Sequence, residues 1–176
     1  MVKKQGTVMR YEYESYLNVT PKANTAKYEL IGEAFDELTE SLNPEVKENA
    51  RIHQKNKSSS LNGYAPEYAF TAENFIGDPV AEYVAMVGRD RLTGADAETD
   101  IINVCTFIDG AIDGTYRADK QHVAIKVDQV NGGPGVESMP LTGSFLYKGD
   151  PIKGSWNPET KEFTPDTQIV DTNTVE

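Results

Sequence analysis

The chain is short of nearly everything that carries chemistry: one cysteine, two histidines and one tryptophan in 176 residues. A lone thiol, Cys105, excludes an intrachain disulfide and suits folding in a reducing cytosol. It has no Cys-x-x-Cys partner, so in its apolar run it reads as a small core residue. Apolar runs are only a few residues long, far below the roughly 18 to 20 that a membrane-crossing helix needs, and no membrane span is expected. The opening MVKKQGTVMRYEYE has two lysines but neither an apolar stretch nor a small-residue cleavage site, so no secretory signal is expected. The Asn18-Val19-Thr20 sequon then carries little weight. Basic residues are also scarce: 17 against 28 acidic ones give a formal charge of −11. That balance argues against binding a phosphate backbone by counterion release, and solubility alone would account for it.

Catalytic and metal-binding patterns are missing in the same way. His53 falls in a polar stretch and His122 on the outward face of an expected strand, so both read as solvated side chains. Asp109, Asp113 and Asp119 lack the one-three-five spacing and the closing glutamate of a calcium loop, and a turn is expected there. Asn131-Gly132-Gly133-Pro134-Gly135 lacks the Gly-Lys-Ser/Thr of a phosphate cradle and reads as a loop. Carboxylates such as Asp96, Glu98 and Asp100 are plentiful, but sequence does not set the separation that a glycosidase requires. The expectation is no enzyme, no metal and no cofactor.

What the chain does have is alternation with period two. Val123, Ile125 and Val127 oppose His122, Lys126 and Asp128. Met139, Leu141, Phe145 and Tyr147 alternate with polar neighbours, and Ile152 and Trp156 follow a turn expected at Lys148-Gly149-Asp150-Pro151. Tyr64, Tyr68 and Phe70 alternate with Glu67, Ala69 and Thr71. Residues 99–108 place Ile102, Val104 and Ile108 on one face and Ile101, Cys105 and Phe107 on the other, a central strand covered on both sides. Residues 35–42 are assigned to a strand because Gly32 and Asn43-Pro44 break the competing helical pattern.

One helix is signalled over about 78–88. Asp78 is its N-cap and Pro79 its first residue, Val80, Tyr83, Val84 and Val87 form its stripe, and Gly88 is the expected stop. Many strands, tight turns and one helix give a mainly β fold, a sandwich or barrel in a single domain over 1–176. Beyond Trp156, in residues 157–176, apolar positions are sparse, Phe163 and Ile169 among them. Such an arm is either frayed or ordered by a neighbouring molecule.

Between two strands lies a polar excursion at 43–66, NPEVKENARIHQKNKSSSLNGYAP. With its flanks it carries a resemblance. FDELTESLNPEV (35–46), the stretch from IHQKN to GYAPEYAFTAE (52–73), GDPVAEY (77–83) and TGADAETDIINV (93–104) follow one another in a run that resembles the major tail tube proteins of long-tailed bacteriophages infecting Gram-positive bacteria, and of related tail-like particles. The half from 109 to 176 matches chiefly in its alternating character.

The resemblance implies a structural virion protein, assembled in the bacterial host cytoplasm, whose subunits form stacked hexameric rings with a joined inner β-barrel. It implies a hollow tube that the tape measure protein fills first and DNA later leaves through without specific binding. Tail terminator and baseplate or initiator proteins are the implied partners at its ends. It also implies that 43–66 is a stacking loop or hairpin reaching the next ring. There Glu45 and Glu48 precede Arg51, Lys55 and Lys57, a two-signed arrangement suited to head-to-tail contact. Asp36, Glu37 and Glu40 are the candidates for the bore, where an acidic wall would repel DNA, and a merely solvated strand face accounts for them equally well. The alternative is a monomeric β-sandwich carbohydrate-binding or adhesion module with Tyr64, Tyr68 and Trp156 stacking on sugar rings.

Overall fold

The structure, a computed structural model, describes residues 6–53 and 55–166. Ten strands are present among them: β1 Tyr13–Asn18, β2 Tyr28–Leu30, β3 Phe35–Ser41, β4 Pro44–Asn49, β5 Ser58–Tyr64, β6 Glu67–Glu73, β7 Glu98–Asp109, β8 Tyr116–Gln129, β9 Pro140–Asn157 and β10 Glu162–Pro165. One α-helix, α1 Pro79–Arg89, joins them, with short 3-10 turns at Arg10–Glu12 and Gly94–Ala97. The main sheet is antiparallel in the order β2-β1-β7-β8-β9-β6-β3, with β10 added to β9, while β4 and β5 form a separate two-stranded ribbon.

The sheet curls into a half-barrel. Although β7, β8 and β9 lie between β1 and β6 in the sheet, the Ser15 hydroxyl on β1 meets the Tyr68 hydroxyl on β6 at 3.1 Å. Curling closes one face around Leu17, Phe70, Ile101, Val123, Leu141 and Phe145, and α1 plugs that hollow with Val80, Val84 and Val87. Each such side chain, fully buried, contributes roughly 1.5–3 kcal/mol. The opposite face of β7 packs Ile102 and Val104 against Tyr16, Ala118 and Trp156. The expected two-sided burial holds over residues 101–104; beyond the irregularity after Cys105 it fails, with Cys105 and Phe107 half-buried and Ile108 exposed.

Helix α1 starts as its sequence predicts. One carboxylate oxygen of Asp78, Oδ1, accepts from the amides of Val80 (2.9 Å) and Ala81 (3.2 Å). The other, Oδ2, accepts from the Ala34 amide at 3.1 Å and so pins the segment leading into β3. Gly88 is not the stop that was expected. It lies within the helix, where a Cβ would come within 2.7 Å of Val127 Cγ1, so its bareness lets α1 seat closely on β8. The left-handed residue after the helix is Arg91, at φ 50°.

Two further expectations are corrected. Lys148-Gly149-Asp150-Pro151 is no turn, because β9 runs through it unbroken. Lys120 pairs with Ile152 and His122 with Lys148, which leaves Gly149, Asp150 and Pro151 opposite Gln121 alone. The segment is a bulge, where Gly149 takes φ 70° and Pro151 needs no ladder donor. The Gln121 amide fills the gap, donating to the carbonyls of Lys148 (2.9 Å) and Gly149 (3.0 Å). The start of the C-terminal arm is likewise not loose: β10 folds back on β9, and Phe163 packs against the Trp156 cluster. Ile169 lies outside the described residues.

Candidate assembly surface

Strand β3 ends the sheet and presents an open edge. It brings the predicted acidic residues together on one strand but on different faces. A bulge at Asp36 resets the alternation, because Phe35 pairs with Ala72 and Glu37 with Thr71. Glu37 and Thr39 then point away from the core, and the Thr39 hydroxyl donates to Glu37 at 3.1 Å. Leu38 and Glu40 point into the half-barrel.

The outward face of β3 and β6 carries Glu37, Thr39, Glu67, Ala69, Thr71 and Glu73, and neither strand contains a lysine or arginine. It continues across β9 as Thr142 and Ser144. Further along, basic groups on this face are matched by acids: Lys126 with Asp128 at 3.1 Å, Lys120 with Asp100 at 3.1 Å, and Lys148 with Glu98 at 2.5 Å. His122 bridges Asp100 (2.8 Å) and Glu98 (3.1 Å). The bond to Asp100 is the main reason that its pKa is raised, and Lys148 followed by His122 draws that of Glu98 down. The histidine is thus engaged rather than merely solvated. Among the described residues no three His, Cys, Asp or Glu side chains group as a metal site would.

Glu40 instead faces a cavity of about 590 Å³ at the mouth of the half-barrel, shared with Tyr13, Asn103, Asp119, Gln121 and Tyr147. Burial, followed by the charge of Glu40, pushes the Tyr13 and Tyr147 hydroxyls well above the ordinary range. Below them Ser15 donates to Asn103 Oδ1 (2.8 Å) and Asn103 Nδ2 to the Tyr147 hydroxyl (2.9 Å), so the interior grades from apolar beside α1 to polar at the mouth. Asp119 belongs to β8 and lines this cavity, in place of the turn expected around it.

The excursion is a hairpin. β4 pairs with β5 from Pro44 opposite Tyr64 to Asn49 opposite Ser58, with a bulge after Glu45. Glu45, Glu48, Arg51, Lys55 and Lys57 all lie on this arm and are exposed. Lys57 and Glu48 are already joined within the arm at 2.9 Å. The register also shows what the charge pattern hid. Pro44, Val46, Leu61 and Tyr64 share one side of the ribbon, and Val46, Leu61 and Tyr64 are more than half exposed, at 60%, 53% and 56%. The signal was in the sequence, as Val46 within PEVKEN and the Leu61–Tyr64 spacing, but it needed the bulge to align.

The aromatic platform does not exist, because Tyr68 and Trp156 are buried at 1% and 0% exposure and only Tyr64 reaches solvent. The sequon asparagine is also buried, with its Oδ1 accepting from the amides of Thr20 (3.0 Å) and Lys27 (3.1 Å).

No family model and no curated protein matches the chain. Among solved structures, a chain in the six-fold symmetrised cryo-EM structure of the anti-feeding prophage (AFP) baseplate is similar, with a TM-score of 0.48 and 11% identity over 85% of this chain and 97% of that one.

Proposed function

We propose that the protein is a tail tube subunit, a structural virion component that works by self-assembly into stacked hexameric rings. The observation that carries this reading is the β4–β5 arm: every strand residue but one is exposed, and one side is apolar over its base, at Pro44, Val46, Leu61 and Tyr64, which is costly to leave in water unless a partner covers it. The sequence resemblance names the partner as further copies of the chain. Open edges at β2 and β3 would be closed around a ring by neighbouring subunits, removing the unpaired backbone groups that a lone sheet displays.

The bore would be lined by the outward face of β3 and β6. The other face is filled by α1 and the core, so only this one is free. Glu37, Glu67 and Glu73, with Asp36 at the bulge, would make the wall repel DNA, and the absence of lysine and arginine on both strands leaves nothing to hold a phosphate. Glu40 lies behind this wall and deepens its negative potential. A tape measure protein would occupy the bore before DNA does, with terminator and baseplate proteins at the two ends. Removing residues 47–60 should leave a folded subunit that fails to polymerise with its initiator. Tubes of normal length from that variant in negative-stain micrographs would overturn the reading.

A further inference from the structure

Strand β6 runs between two unlike ends. It begins at Glu67, directly after the arm, and ends at Glu73, roughly 20 Å away at strand rise. Just beyond Glu73, Phe75 and Ile76 are exposed, Ile76 at 92%. Since β9 starts at Pro140 opposite Glu73, the β8–β9 loop brings Val136 and Met139, also exposed, to the same end. That end is held together by the Asn74 amide donating to the Met139 carbonyl (2.9 Å) and by the Ser138 hydroxyl donating to Glu73 (2.6 Å). A cavity of about 350 Å³ opens there, lined by Asn74, Phe75, Ile76, Glu82, Arg89 and Met139.

The arm is the match for it. Its apolar side carries Val46, Leu61 and Tyr64, and Ile52 near its tip is fully exposed. Residues 43–64 hold Lys47, Arg51, Lys55 and Lys57 against Glu45 and Glu48, a net +2 in a chain of −11. The far end offers Glu73, Glu82 and Glu137. The one cation lining its cavity, Arg89, is occupied with Asn74 (2.8 Å) and Asn131 (3.4 Å).

We propose that the arm of one subunit docks on a second copy of this chain at the patch of Phe75, Ile76, Val136 and Met139, with Ile52 entering the cavity beside Met139. Each subunit offers one arm and one patch at opposite ends, so the contact is heterologous and repeats without closing, which is what a stack of rings requires. Arg51 and Lys55 then meet Glu73, Glu82 and Glu137 at the rim. Their contribution is orientation and rate, while the apolar contact gives the hold.

This rests on the tube reading, and the test separates the two. In a Cys105→Ala background, Ile52→Cys with Ile76→Cys should give a ladder of covalent dimers, trimers and higher species when assembled tubes are oxidised. The pair Ile52→Cys with Ile112→Cys, whose second position lies on the β7–β8 turn at the arm's own end of the sheet, should give none. Tubes that form normally yet stay monomeric on a non-reducing gel with the first pair, or that ladder equally with both, would overturn the docking site and leave the tube intact. Failure of the unmutated chain to form tubes with its initiator would remove both.

Discussion

Asp78 offers the sharpest quantitative test of the fold, because its two carboxylate oxygens do separate jobs. Oδ1 caps α1 through Val80 and Ala81, and Oδ2 binds the Ala34 amide ahead of β3. The side chain is buried, at 3% exposure, so water does not replace what a substitution removes. Asp78→Ala loses the cap, about 1 kcal/mol, and leaves the Ala34 amide buried without a partner, a further 1–3 kcal/mol or so. The sum is about 3 kcal/mol, which at a urea slope near 2 kcal/mol/M moves the midpoint by about 1.5 M. Asp78→Asn separates the two jobs. Its carbonyl oxygen can still cap the helix, but its NH₂ then faces the Ala34 N–H, donor against donor. Asp78→Ser caps from a shorter side chain and does not reach Ala34. Both should fall about midway between wild type and alanine in urea unfolding followed by circular dichroism. An asparagine variant as stable as wild type, or an alanine variant losing less than about 1 kcal/mol, would refute the division of labour.

Other expectations follow from the same geometry. At Gly154 a Cβ would lie 2.3 Å from the Thr164 carbonyl oxygen and 2.6 Å from Phe163 Cζ. Gly154→Ala should therefore lift β10 from β9, cost about 1–3 kcal/mol and shift the emission of the single tryptophan, Trp156, to the red; unchanged emission would count against it. His122 is held above its ordinary pKa chiefly by Asp100, so its stabilising effect is complete below about pH 6.5 and is lost as pH rises through the raised value. His122→Gln should lower stability by about 0–1 kcal/mol at pH 5.5 and by nothing measurable at pH 9. Equal losses at the two pH values in urea titrations would contradict the bridge to Asp100 and Glu98. Replacing Glu37 and Glu67 together by lysine should leave the subunit folded and able to polymerise, but give tubes that retain DNA in a salt-dependent filter assay. Tubes that ignore DNA would place this face outside the bore.

Local patterns were legible in the sequence wherever a single element decides them. Asp78 and Pro79 announce α1, and apolar residues on both parities, Ile101 on one and Ile102 and Val104 on the other, announce a strand covered on both faces. Phe35–Ser41 is a strand as expected, since Gly32 and Asn43-Pro44 leave no room for a helix. Features that depend on a partner strand were hidden. Lys148-Gly149-Asp150-Pro151 has the composition of a turn, and only Gln121 on β8, with its amide placed to satisfy two β9 carbonyls, turns it into a bulge. Asp36, Glu37 and Glu40 look alike as a string, yet the bulge at Asp36 sends Glu37 outward and Glu40 into the half-barrel. On the arm, charge is conspicuous and the apolar side is not, because Val46 and Leu61 become neighbours only through the β4–β5 register. Phe163 looked stranded for the same reason: its partner, Trp156, is reached only by folding back.

The length of β9 has a consequence for how the chain is made. It pairs with β8, β6 and β10, and it is the sole link between β6 and β3 and the remainder of the main sheet. During translation, everything up to Glu73 has left the ribosome long before residues 140–146 are available to receive β6. The nascent chain can pair β3 with β6, but must carry the β6 edge that later meets β9 open for seconds at ordinary elongation rates. Five carboxylates and no cation on those two strands then have an early use, since mutual repulsion keeps nascent chains from knitting to one another before the last long strand arrives.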